Sequence, residues 1–456
     1  MTLTATSPDL AEAVRRDGID FILAMFVDMH GKPCAKLVPA AAVDVLMGGG
    51  SGFAGFAAGP LGQTPADPDL IARPDPASYT PLPWKPNVAA VQCDPTVDGE
   101  PWPYAPRVIL QQQLARLADR GLALKVGAEA EYFLVRRSSD GALVVADERD
   151  GASMPCYDAR GLLRMYDHLS TVSRHLDTLG WGNYANDHED ANGQFEQNFR
   201  YADALATADR LVLFRYMVHA VAADAGMQAT FMPKPFTQLT GSGLHTHLSL
   251  WSASSDEELF DAEPAADPRG LGLSPLGYHW IGGLLEHARS MAAVTCPTVN
   301  SYKRLGAPAP LSGATWAPSL VAYGGNNRTH LLRVPEPGRV EHRGVDGSAN
   351  PYLALAAIVG AGLDGVDREL DPGPPNTANL FALASSELAA RGIGSLPPTL
   401  LHAVEALEAD PVMRAALGKT GDGDYVDYYA ATKRQEFFEF HAQVTPWEVE
   451  RYLTLI

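Results

Sequence analysis

Gly241-Ser242-Gly243-Leu244-His245-Thr246-His247-Leu248-Ser249 sets two histidines two residues apart in an alternating run. Successive side chains of a β-strand point to opposite faces. His245, His247 and Ser249 therefore share one face, and Leu244, Leu248 and Leu250 share the other. Leucines so placed belong in a core, which leaves the histidine face looking into something polar. The Gly-Ser-Gly entry lets the backbone approach a ligand closely or take an unusual turn. Val126-Gly127-Ala128-Glu129-Ala130-Glu131-Tyr132-Phe133-Leu134 follows the same grammar, with Glu129 and Glu131 on one face and Ala128, Ala130 and Tyr132 opposite. Two like charges on one face repel unless a cation lies between them or water solvates them freely. For either stretch alone, an edge strand with a wet face is the competing reading. Both in one chain point to a metal-lined cavity.

The remaining sequence bounds what such a cavity serves. A chain of 456 residues exceeds what one core usually organises, so two domains are expected. The 35 basic and 54 acidic residues give a net charge of −19, which argues against nucleic acid or an anionic membrane as the main partner. Four cysteines, Cys34, Cys93, Cys156 and Cys296, form no CxxC pair and suit a reduced, cytoplasmic protein. Asp9, Glu12 and Asp17 near the start are unlike a signal peptide, and the apolar helical run Leu353–Leu363 is too short to span a bilayer.

Along the chain, a short helix around Asp9–Arg16 leads into a strand at Phe21–Val27, a turn, and a hairpin partner at Pro33–Val38. The stretch Gly48–Phe56 reads as a glycine-rich loop, and twelve prolines between Pro60 and Pro106 exclude long helices there. Residues 1–105 are expected to form a small, mostly β domain and residues 106–456 a larger one. Leu110, Leu114 and Leu117 recur at helical spacing, as do Met165, Leu169, Val172 and Leu176. Asp187–Gly193 reads as a loop, Gln194–Arg200 alternates as a strand, and a long apolar helix is expected over Thr207–Ala225. Asn350-Pro351 is a helix start. The C-terminus after that helix reads as helical and surface-like. The whole predicts an α+β chain whose antiparallel or mixed sheet is covered by helices.

Glu129, Glu131, Glu189, Glu196, His245 and Glu341 collect on such faces and loops. Five carboxylates and an imidazole favour Mg²⁺ or Mn²⁺ over zinc. Arg304, Arg328, Arg333, Arg339 and Arg343 are interleaved with them. Carboxylates for metal and arginines for oxyanions suit phosphoryl transfer from a nucleotide. No GxxxxGK[ST] or GxGxxG motif supplies a glycine cradle for the phosphates.

The blocks GAEAEYF (Gly127–Phe133), DHEDANGQFE (Asp187–Glu196), FMPKPF…GSGLHTHLS (Phe231–Ser249), NSYKRL (Asn300–Leu305), NNRTHLLRVP (Asn326–Pro335), RVEHR (Arg339–Arg343) and NPYL (Asn350–Leu353) resemble the glutamine synthetase family over nearly the whole chain. Their spelling is most similar to its γ-glutamylmethylamide synthetase and glutamine-synthetase-III-like branch. The resemblance implies an N-terminal β-grasp domain and a larger catalytic domain, assembled as stacked hexameric rings, a dodecamer, with sites between neighbouring subunits. It implies ATP and two to three Mg²⁺ or Mn²⁺ ions, with L-glutamate and a small amine as the other partners. Glu131, Glu189 and Glu196 would hold one ion, and Glu129, His245 and Glu341 another. His247, Ser249 and Arg339 would meet the nucleotide, Arg328, Arg333 and Arg343 the transferred phosphoryl group, and Arg304, Thr240 and Gly241 the glutamate. An inactive relative would have lost metal ligands, and all six are present.

Three departures from the family's pattern bear on the amine. The aspartate that attracts ammonium aligns with Gly49. The flap after Arg304 lacks its glutamate, since Gly306–Ser319 contains no acid. The tyrosine that some members adenylylate is Phe381. The first two losses withdraw anions and leave Phe53, Phe56 and Trp316 as candidate walls for a hydrocarbon-bearing amine. Methylamine is the first expectation, with ethanolamine, another alkylamine or a polyamine as alternatives and ammonia as the runner-up.

Overall fold

The computed structural model describes residues 9–263, 265–305, 317–421 and 423–455. Phe21–Val27 pairs antiparallel with Pro33–Pro39 and parallel with Val88–Val97. Leu70–Pro74 and then Ser51–Phe53 extend that sheet to seven strands, counting two short edge pieces. The alternation in Phe21–Val27 divides its burial between two cores. Ile22, Ala24 and Phe26 pack with Leu10, Val14 and Leu46 in a small local core. Met25 and Val27 join the main core with Leu82, Trp84 and Tyr104.

The expected Gly48–Phe56 loop is instead regular structure. A helix spans Val43–Gly49, with the strand Ser51–Phe53 and the short helix Gly55–Ala58 after it. Gly50 separates the first two at φ +74°, a conformation that favours glycine. Val43 and Leu46, buried on one side of the helix, anchor a segment whose glycines otherwise suggested a loop.

The second sheet has ten strands. Its main path runs Asn183–His188, Gln194–Phe199, Leu122–Arg137, Leu244–Ser252, Val340–His342, Leu332–Arg333 and Tyr323–Gly324. All these neighbours are antiparallel except the last pair, so the sheet is mixed. Asp187 and His188, read as loop, close the first of these strands. Helices Ala204–Asp224 and Pro351–Asp367 supply much of the apolar cover. Asn350 caps the second of these: its side chain accepts from the Tyr352 N–H at 3.0 Å, while its Nδ2 donates to the Asp28 carbonyl at 3.0 Å. One side chain thus starts a helix and ties the first sheet's hairpin turn to it.

The C-terminus is not surface-like. Leu400, Val404, Met413, Tyr425 and Tyr429 are fully buried, and so is Lys433, whose ammonium donates to Glu436 Oε2 at 2.8 Å. Buried Tyr425, Tyr429 and Lys433 recur every fourth residue, a helical face hidden in the sequence by its polar letters. Among the described residues no helix is long and apolar enough to cross a membrane.

Candidate active site

Strand register assembles a row of polar side chains across one face of the second sheet. Leu122–Arg137 is its spine. It sets Glu129 opposite His245 and Glu131 opposite Glu196. Asp187 follows opposite Glu196 on one side; on the other, His247 lies opposite Glu341, and Glu341 opposite Arg333. Ala128, Ala130, Tyr132, Leu244, Leu248 and Leu250 are buried in the core on the other face. The alternation that suggested a polar cavity is thus realised on both histidine and glutamate strands.

The row opens into a cavity of about 320 Å³ whose lining includes all six acidic and imidazole candidates together with Arg328, Arg333 and Arg343. Two groups have ligand atoms within 4.8 Å of one another and could hold a metal ion: Glu129, His245 and Glu341, and Glu131, Glu196 and His245. His245 Nδ1 lies 3.6 Å from Glu129 Oε2, and its Nε2 lies 3.8 Å from Glu131 Oε1. The second expected ligand set is therefore assembled as a group. Of the first expected set, Glu131 and Glu196 group with His245, and Glu189 lines the same cavity.

Electrostatics show that these residues fit divalent cations. Burial, then repulsion from Glu131 and Asp187, pushes the Glu189 carboxyl up to about 8. Burial, then Glu189 and Glu129, raises Glu196 well above its ordinary value. A cation among them would hold both ionised. Glu341 differs: burial opposes ionisation, yet Arg343, His245, His247 and Arg333 bring it down to about 2. Arg333 reaches Glu341 Oε2 at 2.7 Å, and Arg343 reaches Oε1 at 2.5 Å. In this chain both arginines bracket a candidate metal ligand while lining the cavity. Arg328 is exposed at its edge.

His247, Ser249 and Arg339 line a second cavity, of about 310 Å³, with Tyr201, Trp251 and Glu258. Glu129 lies between the two, since His247 Nε2 is 3.0 Å from Glu129 Oε1. Arg304 is buried against the loop before the histidine strand, donating to the carbonyls of Gly344 and Arg343 at 3.2 Å each. A side chain at Gly241 would place Cβ 2.9 Å from Arg304 Cγ and 2.4 Å from the Pro233 carbonyl oxygen, which explains the glycine. Thr240 Oγ1 donates to Asp190 Oδ2 at 2.9 Å.

A profile described as "Glutamine synthetase, catalytic domain" matches residues 103–452. The chain belongs to the glutamine synthetase family. It is 43% identical to a glutamine synthetase of Rhizobium leguminosarum bv. phaseoli, over 98% of this chain and 99% of that one. It is 44% identical to a glutamate–methylamine ligase of Methyloversatilis universalis, over the same shares. A solved "GmaS/ADP complex" superposes with a TM-score of 0.90 at 47% identity, covering 98% of this chain and 99% of that one.

Within this family member, two expected site residues lie elsewhere or out of view. Phe53 lines neither cavity. It sits in the first sheet, edge-on to Phe26 at 4.9 Å. Trp316, with the flap residues 306–316, falls outside the described residues. Phe381 is exposed in the turn Leu380–Ala382. Other residues were not foreseen. Cys156 and Tyr157 line the first cavity, Tyr157 with its backbone at φ +63°. Gln194 Nε2 and the Gly243 N–H donate to Glu131 Oε2 at 3.1 and 2.8 Å and orient it. Gln194 shares the alternation of Glu196 in the sequence, which was its one signal. Nothing local marks Cys156 or Tyr157.

Proposed function

We propose that this protein is a glutamate–methylamine ligase. In class it is an ATP-dependent carbon–nitrogen ligase that joins glutamate to an amine; methylamine is the finer step. Relatives at 43–44% identity carry both names, glutamine synthetase and glutamate–methylamine ligase, so identity does not choose between them. The observation that carries the choice is the pair of missing anions, Gly49 and the acid-free Gly306–Ser319. Ammonium is a compact cation that loses hydration on entry and needs negative charge in return. A methyl group gains about 0.8 kcal/mol from apolar contact instead. In this reading Phe53 of a neighbouring copy and Trp316 supply that contact. Residues 1–105 then act as the domain that each subunit extends toward the next in a ring of six, two rings forming the dodecamer.

The cavity's donors suit two to three Mg²⁺ or Mn²⁺ ions, whose charge would offset that of the ATP phosphates. Glu129, His245 and Glu341 form one ligand set, and Glu131, Glu189 and Glu196 the other. His247, Ser249 and Arg339 hold the nucleotide, with Arg333 toward its phosphates. Glutamate, held at its α-carboxylate by Arg304 and met by Gly241 and Thr240, presents the γ-carboxylate that takes the terminal phosphoryl group of ATP. Arg328 and Arg343 steady the charge on that group as it moves. The neutral amine nitrogen then bonds the γ-carbon as the carbon–oxygen bond to phosphate breaks, and the proton it gives up leaves with the phosphate.

Phosphate release measured with ATP, Mg²⁺, glutamate and an amine panel tests the reading. Methylamine should exceed ammonia in kcat/KM by at least about tenfold, and Trp316→Ala should erode that ratio more than it slows phosphoryl transfer. Equal or better kcat/KM with ammonia would return the protein to glutamine synthesis, the second reading, which its rhizobial relatives favour.

A further inference from the structure

Five of the six candidate ligands stand on strands: Glu129 and Glu131, Glu196, His245 and Glu341. Pairing register fixes the face to which each of them points. Glu189 differs. Its strand ends at His188, and the next begins only at Gln194. The Glu189 N–H donates to the Gln194 carbonyl at 2.9 Å, and the Gln194 N–H to the Ala191 carbonyl at 3.0 Å. Those bonds close the loop on itself. Holding its carboxylate at a set place in the cavity takes partners from outside the loop.

The loop is wrapped around Asp150. That carboxylate accepts from His188 Nε2 at 2.8 Å, from the Gly193 N–H at 2.7 Å and from Asn192 Nδ2 at 3.1 Å. Its partners therefore flank Glu189 on both sides along the chain. The His188 ring carries the connection further, since its Nδ1 lies 2.9 Å from the Glu189 carbonyl oxygen. Both side chains are buried. The packing admits this ring and nothing larger: a Cβ at Gly161 would fall 2.3 Å from His188 Cδ2, so the helix Ala159–Arg164 can come this close only with glycine there. Arg164, at the end of that helix, pairs with Asp147 and lies 3.6 Å from Asp150 Oδ1. Hydrogen bonds to an ionised acceptor are the stronger kind, and three converge here.

We propose that Asp150 is a positioning residue for the metal centre. Through His188, Asn192 and Gly193 it sets where the Glu189 carboxylate stands, and so how tightly the divalent ion shared by Glu131, Glu189 and Glu196 is held. This rests on the reading that Glu189 is one of that ion's ligands. Asp150 does not itself line the cavity. It acts through the loop, as the partners that orient a metal's ligands do, and losing such a partner ordinarily costs about 10–100-fold in metal affinity.

Mn²⁺ binding, read from the electron paramagnetic resonance signal of the free ion, tests this alongside thermal melting. Glu189→Ala identifies which binding step belongs to this site and should weaken it most. Asp150→Ala should weaken the same step at least about tenfold. Asp150→Asn keeps an oxygen that can accept from the Gly193 N–H and the His188 ring, so it should stay within about threefold of wild type. Should Asp150→Ala fail to fold, Asn192→Ala decides instead: it removes one of the three bonds and should weaken the step about threefold. A purely structural Asp150 would lower the melting temperature and leave Mn²⁺ affinity as it was, which overturns the inference. If Glu189→Ala weakens binding while Asp150→Ala and Asn192→Ala do not, the role of Asp150 alone falls. If Glu189→Ala binds Mn²⁺ as wild type does, the ligand assignment falls and the inference with it.

Discussion

Among the described residues, two places gather carboxylates, and they do so in opposite ways. Where the first sheet meets the main body, Arg107 gathers Asp75 at 2.7 Å, Asp94 at 2.7 Å and Asp209 at 3.0 Å, and Tyr352 donates to Asp209 at 2.7 Å. A guanidinium carries five N–H donors, enough to serve several acids. In the cavity, by contrast, no Lys or Arg pairs with Glu131, Glu189 or Glu196 among the described residues. Asn198, Gln194 and the backbone N–H groups of Gly243 and Asp190 are donors they receive. The first cluster is complete within the chain and holds two parts of it together. The second is incomplete, and the raised Glu189 and Glu196 carboxyls mark a place short of positive charge.

The largest effect separates these two on activity. Glu131→Ala and Glu341→Ala each remove a charged donor from the cavity and should cut phosphate release by at least about 10³-fold. The rise in melting temperature on adding Mg²⁺ should shrink in both; Glu131→Ala should keep its folded stability, whereas Glu341→Ala also takes an ion-pair partner from buried Arg343 and should lose some. Near-normal turnover in either variant would refute the ligand assignment. Arg107→Ala should do the reverse. It leaves three acids without their guanidinium, Asp209 the most buried of them, and should destabilise the fold by about 3 kcal/mol in urea titration, leaving the Mg²⁺-induced gain in place.

The contrast also has a pH signature. Glu189, raised to about 8 in the fold from 4.5, keeps its proton where the unfolded chain has lost it. The folded state then binds more protons, so this group's contribution to stability falls as pH rises from about 4.5 to about 8. Glu341, brought down to about 2, contributes stability that is present above 4.5 and lost only as pH falls toward 2. The two windows do not overlap. His287, raised through its aspartate partners despite burial, also contributes less as pH rises, so wild type must be compared with Glu189→Gln. In EDTA the variant should melt higher than wild type near pH 8, and the difference should close near pH 5. A constant difference would mean that Glu189 is already satisfied.

The cavity was legible in sequence because strands print their faces at every second letter. Glu129, Glu131, His245 and His247 needed only that rule and the leucines opposite. The partners that orient them were not legible: Gly243 meets Glu131 across 112 positions of chain. Helical faces written in polar residues were misread for a related reason. Lys433 looks like surface until Glu436 and the Tyr429 ring, 5.8 Å from its ammonium, are placed around it. Gly48 and Gly49 looked like loop because glycine lowers helix propensity, yet Val43 and Leu46 outweigh that by burial.

Gly49 also sets the smallest and most informative prediction. A Cβ built there meets nothing within 4 Å, and its φ is not positive, so no packing constraint requires glycine. An aspartate would fit the last turn of Val43–Gly49, at a cost of a few tenths of a kcal/mol from its charge near the helix C-terminus. If the missing carboxylate is what sets ammonia aside, Gly49→Asp should raise kcat/KM for ammonia about three- to tenfold and leave methylamine nearly unchanged. The factor is modest because one anion is restored and the flap still lacks the other. Since the glycine is not structurally needed, a variant that folds normally and shows no shift cannot be excused by misfolding. It would move the origin of amine choice away from this helix end and onto the walls of the pocket.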